Sequence, residues 1–436
     1  MGTTVGTIGG GGSNPPDLEA KYPRHALQRD GYGRHWVFST DSDSSVHGFY
    51  SEDGGVTWAE DLDIVAALPD AGGGRSVVAM SVPGPNSDTL QGNALGVAYK
   101  DNSGVLNQNN SLRLTAFSVT QTADRVNSVT ADTSVLTTQP NARMLDLVAF
   151  ANDRGPNIRG ETIFAALWAE EDVVTGDAEV HLGFRRYNQS GFQQSSSSTN
   201  ITLFTDPDNL VTASNFDGGL AFRHDGDGQS RLSDSNVTLL VGFMQNGISS
   251  VRYAIISEDS TNLGVGNFTV DGPFSSVVSG GSITLPSTGS WVDVFLTRDL
   301  RAGIAIYKAG SSGNKLTTAI RSVPGLSLIS ANRLDLSHNV VLKYGGVCLD
   351  ANDGVMFQGL DENNDLNGYA MTSGQVLGVK RLLDTSTAST TQIRPKMSLY
   401  PNDTLETSFF TGNLIEFNLN LNRGLPFRGW GQSVLN

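Results

Sequence analysis

Seven times along its 436 residues, the chain gathers a short run of apolar and small residues and closes it on a bulky aromatic. The runs are Trp36-Val37-Phe38, Leu95-Gly96-Val97-Ala98-Tyr99, Ile163-Phe164-Ala165-Ala166-Leu167-Trp168 and Leu239-Leu240-Val241-Gly242-Phe243. Gly303-Ile304-Ala305-Ile306-Tyr307, Val355-Met356-Phe357 and Phe409-Phe410 complete the series. From Phe38 to Phe410 the steps between closing aromatics are 61, 69, 75, 64, 50 and 53 residues. Runs this short, continuous in apolar residues and rich in Gly and Ala, read as strands buried on both faces.

What surrounds each run repeats as well. An acidic turn precedes it: Arg29-Asp30-Gly31, Pro85-Asn86-Ser87-Asp88, Asn152-Asp153, His224-Asp225-Gly226-Asp227, Arg298-Asp299, Asn352-Asp353-Gly354 and Pro401-Asn402-Asp403. Asp, Asn and Gly suit such turns through side-chain bonds to the backbone and tolerance of positive φ. A more alternating strand follows each run, such as Val46–Tyr50, Leu112–Phe117, Val180–Phe184 or Val251–Ile255. A polar fourth strand follows that, as in Asn127–Thr130 and Asn200–Phe204. Seven four-stranded units at about 59 residues each (416 residues over seven) fill 21–436. The expected fold is therefore all-β, a β-propeller of about seven four-stranded blades. Residues 1–20, with Gly9-Gly10-Gly11-Gly12-Ser13 and Pro15-Pro16, are expected to form an extended Gly-rich N-terminal arm ordered by a neighbouring subunit.

Composition narrows the function. With 44 acidic against 29 basic residues the formal net charge is −15, which disfavours nucleic-acid binding through phosphates. Cys348 is the single cysteine, so no intrachain disulfide forms, and its run Gly346-Val347-Cys348-Leu349 suggests a buried small residue. No secretory signal and no membrane span is recognisable.

Ser51-Glu52-Asp53-Gly54-Gly55-Val56-Thr57-Trp58 matches S-x-D-x-G-x-T-W at every fixed position. It resembles the Asp-box, a hairpin between outer blade strands in sialidases and other propellers. Its structural residues are Ser51, Asp53, Gly55, Thr57 and Trp58, with the indole available to fold back over the turn. Asn188-Gln189-Ser190-Gly191-Phe192 is a faded version in unit three, and Ser257-Glu258-Asp259-Ser260 keeps only the opening.

The resemblance to sialidases implies an arginine triad, an early Arg-Ile-Pro, a Tyr/Glu pair and an Asp acid/base. The nearest string here is Ile393-Arg394-Pro395, in the last unit and in another order. Nothing in the spacing of Arg24, Arg75, Arg143 and Arg298 selects three that converge. Glu170-Glu171-Asp172 and Asp361-Glu362-Asn363-Asn364-Asp365 are expected in solvated, strand-connecting loops rather than as a glycosidase pair. His224-Asp225-Gly226-Asp227-Gly228 is the best Ca²⁺ candidate, though it lacks further ligands. The six His (His25, His35, His47, His181, His224, His338) are scattered without zinc-type spacing. No phosphate-binding, dinucleotide or nucleophile-elbow motif occurs, so no catalytic, cofactor or metal residue is assigned.

A propeller without a catalytic signature suggests a non-enzymatic scaffold. In fold and size the chain resembles tail nozzle or hub proteins of short-tailed bacteriophages. That resemblance implies a virion structural protein assembled in the host cytoplasm. Its partners would be copies of itself in a ring (a hexamer), a portal-adaptor ring and tail fibres. The alternative is a carbohydrate-active propeller, either a sialidase-like glycosidase or a lectin-like glycan-binding module. An intracellular adaptor of the kelch type ranks behind both.

Overall fold

A computed structural model describes twenty-nine strands, one short helix and the intervening residues 24–25, 30–34, 45, 52–58, 68, 76, 81, 101, 111, 120–121, 138–142, 172–177, 190 and 212–213. Its side chains are described mainly between 24 and 243.

Strand β1 (Thr3–Gly9) comes first and joins the last sheet. Sheet 1 contains β2 (Leu27–Arg29), β3 (His35–Thr40), β4 (Val46–Ser51) and β5 (Ala59–Asp61), followed by α1 (Leu62–Ala67). Sheet 2 contains β6 (Val77–Met80), β7 (Ala94–Lys100), β8 (Leu112–Val119) and β9 (Val126–Thr137). Sheet 3 has five strands: β10 (Arg143–Asn152), β11 (Glu161–Glu171), β12 (Ala178–Asn188), the short β13 (Gly191–Phe192) and β14 (Thr199–Asp206). Both β13 and β14 pair with β12.

Sheet 4 contains β15 (Phe216–His224), β16 (Val237–Gln245), β17 (Val251–Glu258) and β18 (Phe268–Ser276). Sheet 5 contains β19 (Trp291–Leu296), β20 (Arg301–Lys308), β21 (Lys315–Ser322) and β22 (Leu328–Asp335). Sheet 6 contains β23 (Gly345–Leu349), β24 (Val355–Leu360), β25 (Leu366–Ala370) and β26 (Arg381–Asp384). Sheet 7 contains β27 (Ser398–Leu399), β28 (Thr404–Thr411), β29 (Leu414–Leu421) and β1.

Every sheet is antiparallel, and the first strands β2, β6, β10, β15, β19, β23 and β27 each contact the next in chain order. This is a β-propeller, and each apolar run of the repeat is the second strand of its sheet. Among the described side chains those of β3, β7, β11 and β16 are buried, and β7 and β11 have a neighbouring sheet on each face. Trp36 and Phe38 pack with Leu95, Val97 and Phe117 between sheets 1 and 2. Phe164 and Trp168 pack with Ala98, Leu114 and Met144 between sheets 2 and 3. Leu167, Leu182 and Phe184 meet Leu220, Val241 and Phe243 between sheets 3 and 4. Gly96 is small for a packing reason, since a Cβ there would run into the Phe164 ring of the next sheet.

The N-terminal segment departs from the expected arm. Thr3–Gly9 pairs antiparallel with β29, from Thr3↔Leu419 to Gly9↔Leu414, so it is the outermost strand of the chain's own seventh sheet. Its alternation of Thr with Val and Ile suits an edge strand.

Candidate functional site

The Ser51–Trp58 turn links the third and fourth strands of sheet 1. Asp53 closes it. Its Oδ1 accepts from Ser51 Oγ (2.8 Å), Val56 N (3.0 Å) and Thr57 N (2.9 Å), and its Oδ2 accepts from Thr57 Oγ1 (2.5 Å). These donors, Thr57 foremost, hold the Asp53 carboxyl well below the usual carboxylate range. Gly54 and Gly55 carry φ of 75° and 93°, which other residues adopt only with strain. Trp58 Nε1 folds back to donate to Gly55 O at 2.8 Å. The side chains of Ser51, Asp53, Thr57 and Trp58 are engaged within the turn, and Glu52 lies 4.0 Å from Arg34 Nη1, so the motif's work is to organise backbone. The equivalent turn of sheet 3 keeps Gly191 at φ 100° and one side-chain bond, Ser190 N to Asn188 Oδ1 at 2.8 Å.

A second cluster lies where the innermost strands begin. Arg24 N donates to Ser76 O and Val78 N donates to Arg24 O, both at 2.9 Å, which docks this residue on β6. From there the Arg24 side chain reaches sheets 3 and 4, with Nη1 donating to Leu145 O (2.8 Å) and to Gly218 O. Its Nε lies 3.4 Å from Asp146 Oδ1, and its Nη1 lies 3.9 Å from Asp217 Oδ1. Asp146 is wholly buried. It takes Leu147 N (2.9 Å) and Leu220 N (2.7 Å), and its Oδ1 sits 2.5 Å from His25 Nε2. Burial alone would raise the Asp146 carboxyl. The Arg24 guanidinium, the His25 imidazole and the Leu220 N–H outweigh that and hold it well below its ordinary range.

His25 is the only described non-glycine residue with positive φ, at 62°. That backbone costs on the order of 1–3 kcal/mol and persists where surrounding contacts over-determine it. Here the contacts are the Asp146 bond and Gln28 Nε2 donating to His25 O at 2.7 Å. The result is an imidazole aimed by a buried carboxylate, with a guanidinium alongside and part of the ring still exposed. Such a group can donate or accept a hydrogen bond to a bound ligand.

The other sequence candidates fall as follows. Arg143 stands at the start of β10, and Arg75 and Arg298 lie outside the described residues. Glu170 and Glu171 do not lie in a loop; they are the last residues of β11, and only Asp172 is in the turn. Glu171 accepts from Ala213 N and Asn141 Nδ2, both at 2.8 Å. Trp168 stacks on His181, and His47 Nδ1 meets Glu60 Oε1 at 2.5 Å. The Asp361–Asp365 cluster, His338 and all of His224–Gly228 beyond His224 lie outside the described residues. Cys348 is in β23, opposite Met356. Among the described residues no helix is long and apolar enough to cross a membrane. The Arg24–His25–Asp146 cluster had no local sequence signal, because its members lie 121 positions apart along the chain.

No protein-family model matches the chain, and no curated protein matches it in sequence. Solved structures do overlap with it. A fucose-specific lectin from Aleuria aurantia is 11% identical over 84% of this chain and 98% of the lectin, with a TM-score of 0.41. The α-L-arabinanase of Penicillium chrysogenum is 11% identical over 98% of this chain and 99% of its own, with a TM-score of 0.46. A polysaccharide lyase, Uly1, is 7% identical over 96% and 98% of the two chains, with a TM-score of 0.45. Overlaps this loose carry no functional argument, and the propeller class rests on the chain's own sheet order.

Proposed function

We propose that the chain is a carbohydrate-directed β-propeller that handles sugar at His25, with Asp146 and Arg24 as its supports. The observation that carries this reading is the left-handed His25, held against a wholly buried carboxylate at the start of the inner strands. A strained, charge-supported residue of this kind is a functional-site signature. Sugar hydroxyls both donate and accept, and an imidazole fixed by a carboxylate can answer either demand. The lectin, arabinanase and polysaccharide lyase named above are carbohydrate-directed by name, and at TM-scores below 0.5 they carry none of this reading.

The tail-scaffold expectation rested on fold, size and the missing catalytic signature, with an N-terminal arm expected to reach a neighbouring subunit as a further reason. Thr3–Gly9 is instead committed to the chain's own seventh sheet, which removes that reason for preferring it. The carbohydrate alternative becomes the main reading.

The test is a panel of immobilised glycans and soluble polysaccharides, read for binding and for newly formed chain ends. Wild-type protein is expected to retain or cleave at least one glycan, and His25→Asn, which tolerates the same backbone, is expected to lose this while melting normally. Equal behaviour of the two proteins, or co-purification with virions as a closed ring and no glycan bound, would overturn the reading.

A further inference from the structure

A different part of sheet 3 has the makings of a metal site. Glu170 on β11 stands directly opposite Glu179 on β12, and Trp168 stands opposite His181 two pairs inward. Alternation puts all four on one face of the sheet, the face whose Trp168 packs toward sheet 2. Two carboxylates facing each other across strands repel unless something positive lies between them.

The geometry around His181 is specific. Its Nε2 lies 3.3 Å from Glu170 Oε1 and 3.0 Å from Glu179 Oε2, and the three ligand atoms lie within 4.8 Å of one another. Nε2 is buried and makes no hydrogen bond to either oxygen, because neither lies where an N–H would point. The residue is 9% exposed. A ring nitrogen aimed between two carboxylates, bonded to neither, is placed as a lone pair directed at a shared cation. The spacing agrees, since metal–ligand distances of about 2.0–2.1 Å put the corners of a tetrahedron roughly 3.3 Å apart.

The supports of the three groups are in place. His181 Nδ1 faces Thr202 Oγ1 at 3.2 Å, and with Nδ1 as the donor in that contact Nε2 is left for a ligand bond. Trp168 Nε1 donates to Glu170 Oε2 at 2.8 Å, and Thr205 Oγ1 donates to Glu179 Oε1 at 3.1 Å. Each carboxylate thus has one oxygen tied back and the other turned toward Nε2.

We propose that Glu170, Glu179 and His181 bind one divalent transition-metal ion of the Zn²⁺ type. Three protein ligands leave a fourth position, and Glu179, with its side chain 24% exposed, is where that position reaches solvent. Water or a hydroxyl-bearing ligand takes it. One nitrogen and two single oxygens suit Zn²⁺ and fall short of the six to eight oxygens that Ca²⁺ gathers.

The test uses the full chain, stripped with chelator and titrated calorimetrically with Zn²⁺, then with Ca²⁺. One equivalent of Zn²⁺ is expected to bind and raise the melting midpoint, with Ca²⁺ silent. His181→Ala and Glu179→Gln are expected to lose that equivalent, and His47→Ala is expected to keep it. Circular dichroism of the metal-free variants separates loss of the site from loss of the fold, and Co²⁺ in place of Zn²⁺ should give the visible absorption of a tetrahedral centre. Absence of a stoichiometric Zn²⁺ equivalent in the wild type, or its persistence in His181→Ala and Glu179→Gln, would overturn the proposal.

Discussion

His25, just before β2, and His181, near the start of β12, both sit against carboxylates, yet they do so under opposite conditions. At His25 the carboxylate is single, wholly buried and filled: backbone N–H groups, a guanidinium and the imidazole use its capacity. At His181 two partly exposed carboxylates leave one oxygen each turned to a nitrogen that bonds neither. The first cluster spends its charges on joining the segment before sheet 1 to sheets 2, 3 and 4. The second turns its charge toward one point shared by three possible ligand atoms. Similar residue types, then, fix one imidazole against a fully engaged carboxylate in one place and turn two carboxylate oxygens toward an imidazole nitrogen in the other, and the count of satisfied lone pairs distinguishes them.

The comparison breaks most visibly at Asp146. Asp146→Ala leaves Arg24 buried without its main counter-charge and two N–H groups unpaired. A loss of about 3–5 kcal/mol is expected from denaturant unfolding, since removing one member of a buried pair exposes the full cost of the other. Glu179→Ala should cost far less.

Acid sharpens the contrast. The Asp146 carboxyl is lowered in the folded state, so its contribution is complete above the unfolded value of about 3.9 and is lost as pH falls below that toward the folded value. Stability measured from pH 6 downward should therefore fall along an acid limb that Asp146→Asn flattens.

His25 offers a smaller effect with a backbone signature. His25→Gly relieves the left-handed strain but forfeits the imidazole contact, and should fall within about 1–2 kcal/mol of wild type. His25→Val adds a β-branched residue at φ 62° and should be worse than Gly in the same melting experiment.

The smallest expected change is at Thr202. Thr202→Val should leave the metal-free melting midpoint within about 0.5–1 kcal/mol of wild type, because only one exposed contact goes. Zn²⁺ affinity should nonetheless drop roughly 10–100-fold, the usual cost of losing the partner of a ligating His. Equal loss in both measurements would mean that His181 is a fastening after all.

Much of the fold was legible in the chain itself. Buried second strands are continuous in apolar residues, so Trp36–Phe38 or Ile163–Trp168 stand out without any partner being known. The Ser51–Trp58 turn was legible because all its bonds run within a few residues. Strand β1 was not, since its partner Leu419 lies 416 positions from Thr3 and nothing local marks the pairing. The His25 cluster shared that obstacle. The His181 site had a signal that went unread: Glu179 and His181 alternate on one strand face, and the short turn after Glu171 folds Glu170 opposite them. Reading Glu170-Glu171-Asp172 as one solvated loop hid it, whereas the strand in fact runs on through Glu171.

The pairing of β1 with β29 also sets a timetable. At ribosomal rates of about 5–20 residues per second, roughly 20–80 s pass between the making of Thr3 and that of Leu419. Six sheets can form from consecutive residues while they emerge, but the seventh must wait with its outer strand already made and unmatched. Closure is therefore the last event of folding, and reopening the ring requires unzipping two segments from distant parts of the chain. The seam that is slowest to form is also the one that guards against gradual fraying.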